Sequence, residues 1–216
     1  MLRITRHQIG RWAALLIALE AVVVMAGWIF GFEPLTRIAP VGINMKFLSA
    51  FLFLLSAFGL HLISRAIQDE DALALVLLPG ISLAIFLVTA TLIVSRLYGT
   101  ATGVEDLFLR HSDPIDYSNI ISIHGWPSMS TLVNFFLFGL VSIAALFPGA
   151  LRKRIIVCSG YFIGLVGLVA AAGYLFGLPL LYFELDSSVP MALNTALSFI
   201  LLGFGLTQIF WAESTQ

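Results

Sequence analysis

Two ionisable residues stand inside apolar runs. Glu20 lies nine residues after Arg11, roughly 13 Å into an apolar segment at about 1.5 Å per helical residue. A charge in hydrocarbon costs at least about 2.5–3.5 kcal/mol, so such a carboxyl is neutral or paired and faces other helices. It reads either as a proton or cation site or as a neutral carboxyl bonded to a neighbouring helix. Arg96 stands near the end of a later apolar run, within reach of Glu33, Glu184 or Asp186 as partners. A guanidinium fork there suits a carboxylate or phosphate ligand, or else snorkels to headgroups. Lys46, at the start of an apolar run, has the same two readings.

Uncharged polar residues form a second set. Asn134, Asn194, Thr195, Ser198, Ser130, Thr131 and Ser49 fall near the starts of apolar runs. They read as the lining of one polar pocket, or as interhelical hydrogen bonds worth about 0.6 kcal/mol each. The ligand-binding candidates are therefore Glu20, Arg96, Asn134, Asn194, Thr195 and Ser198. His61 could ligate a haem or a magnesium, join a proton path, or simply be hydrogen-bonded. His111, Asp113, Asp116 and His124 could hold Zn²⁺, but their spacing fits no closed metal motif. No metal ligand set and no cofactor follow from these residues. Walker, HExxH, GxSxG and dinucleotide fingerprints are missing, so no catalytic residue is nominated and the chain is not read as an enzyme.

The elements that position these residues follow from composition. Of 216 residues, 60% are hydrophobic and 11% charged, and mean hydropathy is +1.02. Soluble domains carry about 25% charged residues, so a soluble enzyme and a disordered chain are excluded. A net charge of −1 gives no basic surface for nucleic acid. The single cysteine, Cys158, excludes an internal disulfide. The expected partner is the lipid bilayer.

A crossing helix needs about 20 apolar residues. Six stretches qualify, near Trp12–Phe30, Asn44–Ser64, Ala72–Tyr98, Pro127–Phe147, Ile155–Phe176 and Val189–Trp211. The first is too long for a signal-peptide core and reads as a retained helix. Arg3, Arg6, Arg11, Arg65, Arg152, Lys153 and Arg154 flank one side, seven of the 11 basic residues. The positive-inside rule then places both termini in the cytoplasm. Trp28, Tyr98, Trp126, Tyr174 and Tyr182 mark the outer belt, Trp12 and Trp211 the inner. The longest outer connection, Gly99–Trp126, is expected to hold a short helix or extended segment at Ile115–Ser122. After the last span only Ala212–Gln216 is expected to remain, with no output domain among these residues.

An internal repeat organises the spans. Trp28-Ile29-Phe30-Gly31, Arg96-Leu97-Tyr98-Gly99 and Tyr174-Leu175-Phe176-Gly177 each end a span with an aromatic residue and Gly, a left-handed helix stop. Gly31 to Met45 and Gly177 to Met191 are both 14 positions. Ser130-Thr131 aligns with Asn194-Thr195, and Gly139 with Gly203, if the middle connection carries an insertion. The expected fold is all-α: a polytopic membrane protein of six transmembrane helices, one domain over 1–216. Three parallel helical hairpins, approximately 11–65, 72–147 and 153–211, stand in a pseudo-threefold arrangement. A shared cavity near the axis, opening outward, is the natural ligand site. Gly160-x-x-x-Gly164, continued by Gly167 and Ala171, marks helix packing or a dimer face.

Met191-Ala192-Leu193-Asn194-Thr195-Ala196-Leu197-Ser198-Phe199 resembles the Met-x-Pro-Asn-Thr-Ala-Leu-x-Phe repeat of a bacterial module. That module is the hydrophobic six-span sensor region found ahead of PAS, histidine-kinase and diguanylate-cyclase domains. Gly173–Tyr182 and Thr102–Phe108 are similar to its other segments. The resemblance spans nearly the whole chain, although Phe47-Leu48 replaces Pro-Asn in the first repeat and Ser130 replaces Asn in the second. It implies a signal-input module in a bacterial cytoplasmic membrane that binds a small or lipophilic ligand in its outer half and acts on a cytoplasmic signalling protein. Two other readings stay open: an accessory subunit of a larger respiratory or photosynthetic membrane complex, and a small transporter.

Overall fold

The computed structural model describes residues 6–38, 43–68, 71–100, 126–182 and 189–211. Among them every regular element is helical. Six α-helices run in order: α1 (Arg6–Phe30), α2 (Phe47–Gln68), α3 (Ala72–Tyr98), α4 (Met129–Ala144), α5 (Ala150–Phe176) and α6 (Leu193–Trp211). Short 3-10 turns follow α1 at Glu33–Leu35 and α5 at Pro179–Leu181. The segment 101–125, with His111, Asp113, Asp116, His124 and the Ile115–Ser122 expectation, lies outside the described residues. So do Glu184 and Asp186.

Four helices are long and apolar enough to cross a membrane: Ile9–Phe30, Phe47–Ile67, Ala72–Tyr98 and Leu151–Phe176. The expected fourth and sixth spans are shorter as helices. α4 has 16 residues and α6 has 19, about 24 and 28 Å at 1.5 Å per residue. Residues 127–128 and 145–147 of the expected fourth span and 189–192 of the sixth are not helical. Pro127 and Pro190 disfavour helix for the residues before them.

The helices close a ring. α1 packs on α2, α3 on α4 and α5 on α6, and the neighbours α2–α3, α4–α5 and α6–α1 complete the circuit. α2 also touches α4 and α6 across the middle. Burial follows this order: 72% of the apolar window of α2 is buried, against 33%, 28% and 28% for α1, α3 and α5. The odd helices therefore form an outer layer that exposes Leu15, Leu19, Leu87, Val94, Leu165 and Leu168. Leucine-rich exposed faces of this kind suit lipid rather than water.

The centre holds an aromatic triangle. Phe53 of α2, Phe135 of α4 and Phe199 of α6 have ring centroids 4.6, 4.7 and 5.0 Å apart. All three are fully buried. Tilted and edge contacts at such distances are worth about 0.5–1.5 kcal/mol each beyond the area they bury.

Glycine sets the closest approach. A Cβ on Gly203 of α6 would collide with the backbone of Gly160 and Gly164 on α5, and a Cβ on Gly167 would meet the Ala196 carbonyl at 2.5 Å. The Gly160-x-x-x-Gly164 pattern is thus used in packing α5 on α6.

Candidate functional site

The ends of the odd helices share one construction. Gly31, Gly99 and Gly177 follow α1, α3 and α5 with φ of 69°, 63° and 64°, a left-handed conformation that costs glycine nothing. Beyond each, the chain folds back: Phe32 N–H donates to Gly27 O, Thr100 N–H to Ser95 O and Leu178 N–H to Gly173 O, at 2.8–3.0 Å. Three residues before each glycine, a side chain donates to the backbone that leads into the next helix. Trp28 Nε1 donates to Met45 O at 2.8 Å and Tyr174 Oη to Met191 O at 2.7 Å, each across 17 residues. Arg96 Nη1 donates to Pro127 O at 2.9 Å. Arg96 thus ties the end of α3 to the residues leading into α4. Of its three expected partners, Glu33 pairs with Arg37 at 3.5 Å, and Glu184 and Asp186 lie outside the described residues.

These contacts bring three helix starts together. Lys46, Ser128 and Ala192 immediately precede α2, α4 and α6, and their carbonyls accept the first helical bonds, from Ala50, Leu132 and Ala196. Ser49, Thr131 and Thr195 sit three positions on. All six line one partly open cavity, with Asn44, Pro127 and Pro190 on its rim. About 200 Å³ of space lies among these residues, part of it open to the outside.

The lining is polar and electropositive. Ser128 Oγ accepts the Thr131 N–H at 3.3 Å and pairs with Thr131 Oγ1 at 2.7 Å, capping α4. Lys46 and Ala192 carry no oxygen that could cap α2 and α6 in the same way. Ser49 and Thr195 are 2% and 3% exposed, and neither hydroxyl has a hydrogen-bond partner among the described residues. Asn44 Oδ1 is likewise buried without a partner. Lys46 precedes the membrane-spanning α2, and no described carboxylate pairs with it. Each helix start adds roughly half a positive charge from its oriented peptides.

One of the six sequence candidates lines this cavity. Thr195 lines the cavity, together with Ser49 and Thr131 from the wider polar set. Asn194, one residue away and rotated about 100° around α6, donates to Thr36 O at 3.1 Å and ties α6 to the turn after α1. Ser198 lies a helical turn deeper and donates to Glu20 Oε2 at 2.5 Å. Glu20 Oε1 is buried without a partner. Asn134 is fully buried in α4, and neither side-chain polar atom is hydrogen-bonded. Lys46, Ser128 and Asn44 are polar cavity residues outside the six sequence candidates, although Lys46 reads in the sequence as ligand contact or snorkel. The signal for Lys46 was its place one residue before a helix, with Ser three residues later.

At the opposite end of the bundle, Arg65 pairs with Asp71, which also caps α3 by accepting the Leu73 N–H at 3.0 Å. Arg11, Arg152, Lys153 and Arg154 lie at this end too, at the start of α1 and of α5. His61 is half-buried in the last third of α2. No protein-family model matches the chain, and no curated protein or solved structure is similar to it at a significant level.

Proposed function

We propose that the chain is a membrane signal-input module of the kind it resembles. In this reading three in–out–in hairpins make six spans, with both termini cytoplasmic and the cavity opening outward in a bacterial cytoplasmic membrane. The recurrent glycine stops, the three donor contacts and the phenylalanine triangle support three copies of one hairpin. The short helices are compatible with six spans. α4 supplies about 24 Å, and the non-helical residues that flank it, 126–128 and 145–147, extend it toward a hydrocarbon core of about 30 Å. The basic residues at the ends of the helices opposite the cavity support cytoplasmic termini.

One observation carries the sensor reading: α2, α4 and α6 all begin at the same cavity and run to the opposite end. A ligand that favours one arrangement of these starts biases three inner helices together, and such differential binding is what a signal requires. The phenylalanine triangle weighs against a transport path along the axis, because rings within 5.0 Å leave no passage between them. The output is a cytoplasmic signalling protein or domain.

Isolation from the native membrane, with intact mass and co-purifying proteins measured together, tests the reading. Recovery with a signalling protein, or as part of a longer chain carrying a signalling domain, is the expected result. Recovery in fixed stoichiometry with a respiratory or photosynthetic assembly would overturn it in favour of an accessory subunit.

A further inference from the structure

We infer that Glu20 is a proton-binding site inside the membrane, at the seam where α1 closes on α6. The side chain sits there as a neutral carboxylic acid, with Ser198 donating to Oε2 and the proton carried on Oε1. The site stands apart from the outer cavity and does not depend on the sensor reading.

Three observations select the neutral acid. The first is depth. The bond from Trp28 to Met45 O sets those two residues level. Glu20 is eight residues earlier in α1, about 12 Å further in and level with Phe53 of the phenylalanine triangle. An ionised carboxyl in hydrocarbon needs a counter-charge or a full set of donors. The second is the surroundings, which supply neither. α6 has no ionisable residue over Leu193–Trp211. α2 is the other helix packed on α1. There Lys46 stands about 10 Å further out, and His61 and Arg65 about 12 and 18 Å further in. On α1 itself the ionisable residues are Arg6, His7 and Arg11, nine or more positions away. The single hydrogen bond to Glu20 among the described residues comes from Ser198, whereas a carboxylate offers about four acceptor sites. The third is the other oxygen. Oε1 is buried without a partner. As part of a carboxylate it would hold unmet charge, and as the hydroxyl of the acid it holds the proton. Among the described residues no cluster of acidic, histidine or cysteine side chains could hold a metal ion, so the proton is favoured over a cation.

Glu20 lies on the rim of its seam. Ile17 and Val24 beside it are buried, and Leu16, Leu19 and Val23 are exposed. The triangle closes the axis at this level, so the proton comes and goes along the lipid-facing edge of α1. Counted from the glycine stops, the positions that match Glu20 are Val88 in α3 and Val166 in α5, and those that match Ser198 are Leu52 and Asn134. Asn134 is fully buried with neither polar atom hydrogen-bonded, and the matching position on α5 is valine where α1 has an acid. Of the three seams between hairpins, the one that closes the ring therefore carries the proton. Losing it would put an unpaired charge between the first hairpin and the last.

The test uses the full chain in bilayers of ether-linked phosphatidylcholine, which has no carbonyl of its own. Infrared difference spectra against Glu20→Gln read the carbonyl stretch of a protonated carboxyl. At about pH 8 carboxyls open to water are ionised. The expected result is one remaining acid band in wild type, absent from Glu20→Gln and shifted to higher frequency in Ser198→Ala, where the carbonyl loses its donor. The double variant Glu20→Leu, Ser198→Ala removes the band by a second route, and circular dichroism shows which variants are folded. Dicyclohexylcarbodiimide, which dissolves in lipid, gives an independent reading. The acid proton passes to a nitrogen of the reagent, and the carboxyl oxygen bonds to its central carbon. Peptide mapping should find the adduct at Glu20, lost reversibly at alkaline pH and unaffected by sodium at constant ionic strength. No acid band in folded wild type overturns the inference, as does a band that persists in the folded variants lacking Glu20. A band unmoved in Ser198→Ala overturns the assigned bond, and protection from the reagent by sodium at constant pH overturns the proton in favour of a cation.

Discussion

Glu20 and Ser198 pair inside the bundle. Ser198→Ala leaves Glu20 with no hydrogen bond among the described residues, at an expected cost of about 1–3 kcal/mol. The double variant Glu20→Leu, Ser198→Ala should recover most of that loss, because removing both partners leaves no unsatisfied group. Denaturant unfolding of the single and double variants reads both outcomes. The sequence showed each of these side chains as polar in an apolar run. It did not show which would meet: Asn194 and Ser198 share a face of α6, yet one reaches Thr36 and the other Glu20, partners at different depths of the bundle.

Helix positions were the more legible level. The glycine stops at Gly31, Gly99 and Gly177 were visible from an aromatic-Gly pattern, because the left-handed cap restricts residue type strongly. The inner helix starts were less visible: hydropathy does not distinguish an extended apolar segment from a helical one. Residues 127–128, 145–147 and 189–192 read as span and are not helical. The donors at Trp28, Arg96 and Tyr174 were hidden for another reason. An indole, a guanidinium and a phenol share no sequence signature, yet each reaches a backbone carbonyl. Trp28→Phe keeps the ring and removes the donor to Met45 O, and we expect about 1–3 kcal/mol of destabilisation by denaturant titration. Gly203 sits at the tightest crossing. Gly203→Val places carbon against the α5 backbone, which cannot move aside as a side chain would. We expect a cost of about 1–3 kcal/mol or failure to fold, with Gly80→Ala, which has open space around it, as the tolerated control.

For the whole molecule, orientation is the property with the plainest test. In a Cys158→Ser background, a membrane-impermeant maleimide added to intact spheroplasts should label Arg37→Cys and spare Lys153→Cys until the membrane is opened. The opposite pattern would invert the proposed topology and place the cavity on the cytoplasmic side.

The closure of α6 onto α1 has a consequence for the gene. A Cβ on Gly10, near the start of α1, would stand 3.8 Å from the carbonyl of Gly205, near the end of α6. A short linker can therefore join the two ends without crossing the bundle. Cutting the chain instead in the tight turn around Pro148 and Gly149 would give a protein that begins with α5 and ends with α4. All six neighbouring pairs would remain available to it. Since each hairpin carries its own stop and its own donor, the order in which the hairpins leave the ribosome should matter little to the finished ring. A circular permutant of this kind should insert and reach a similar melting temperature.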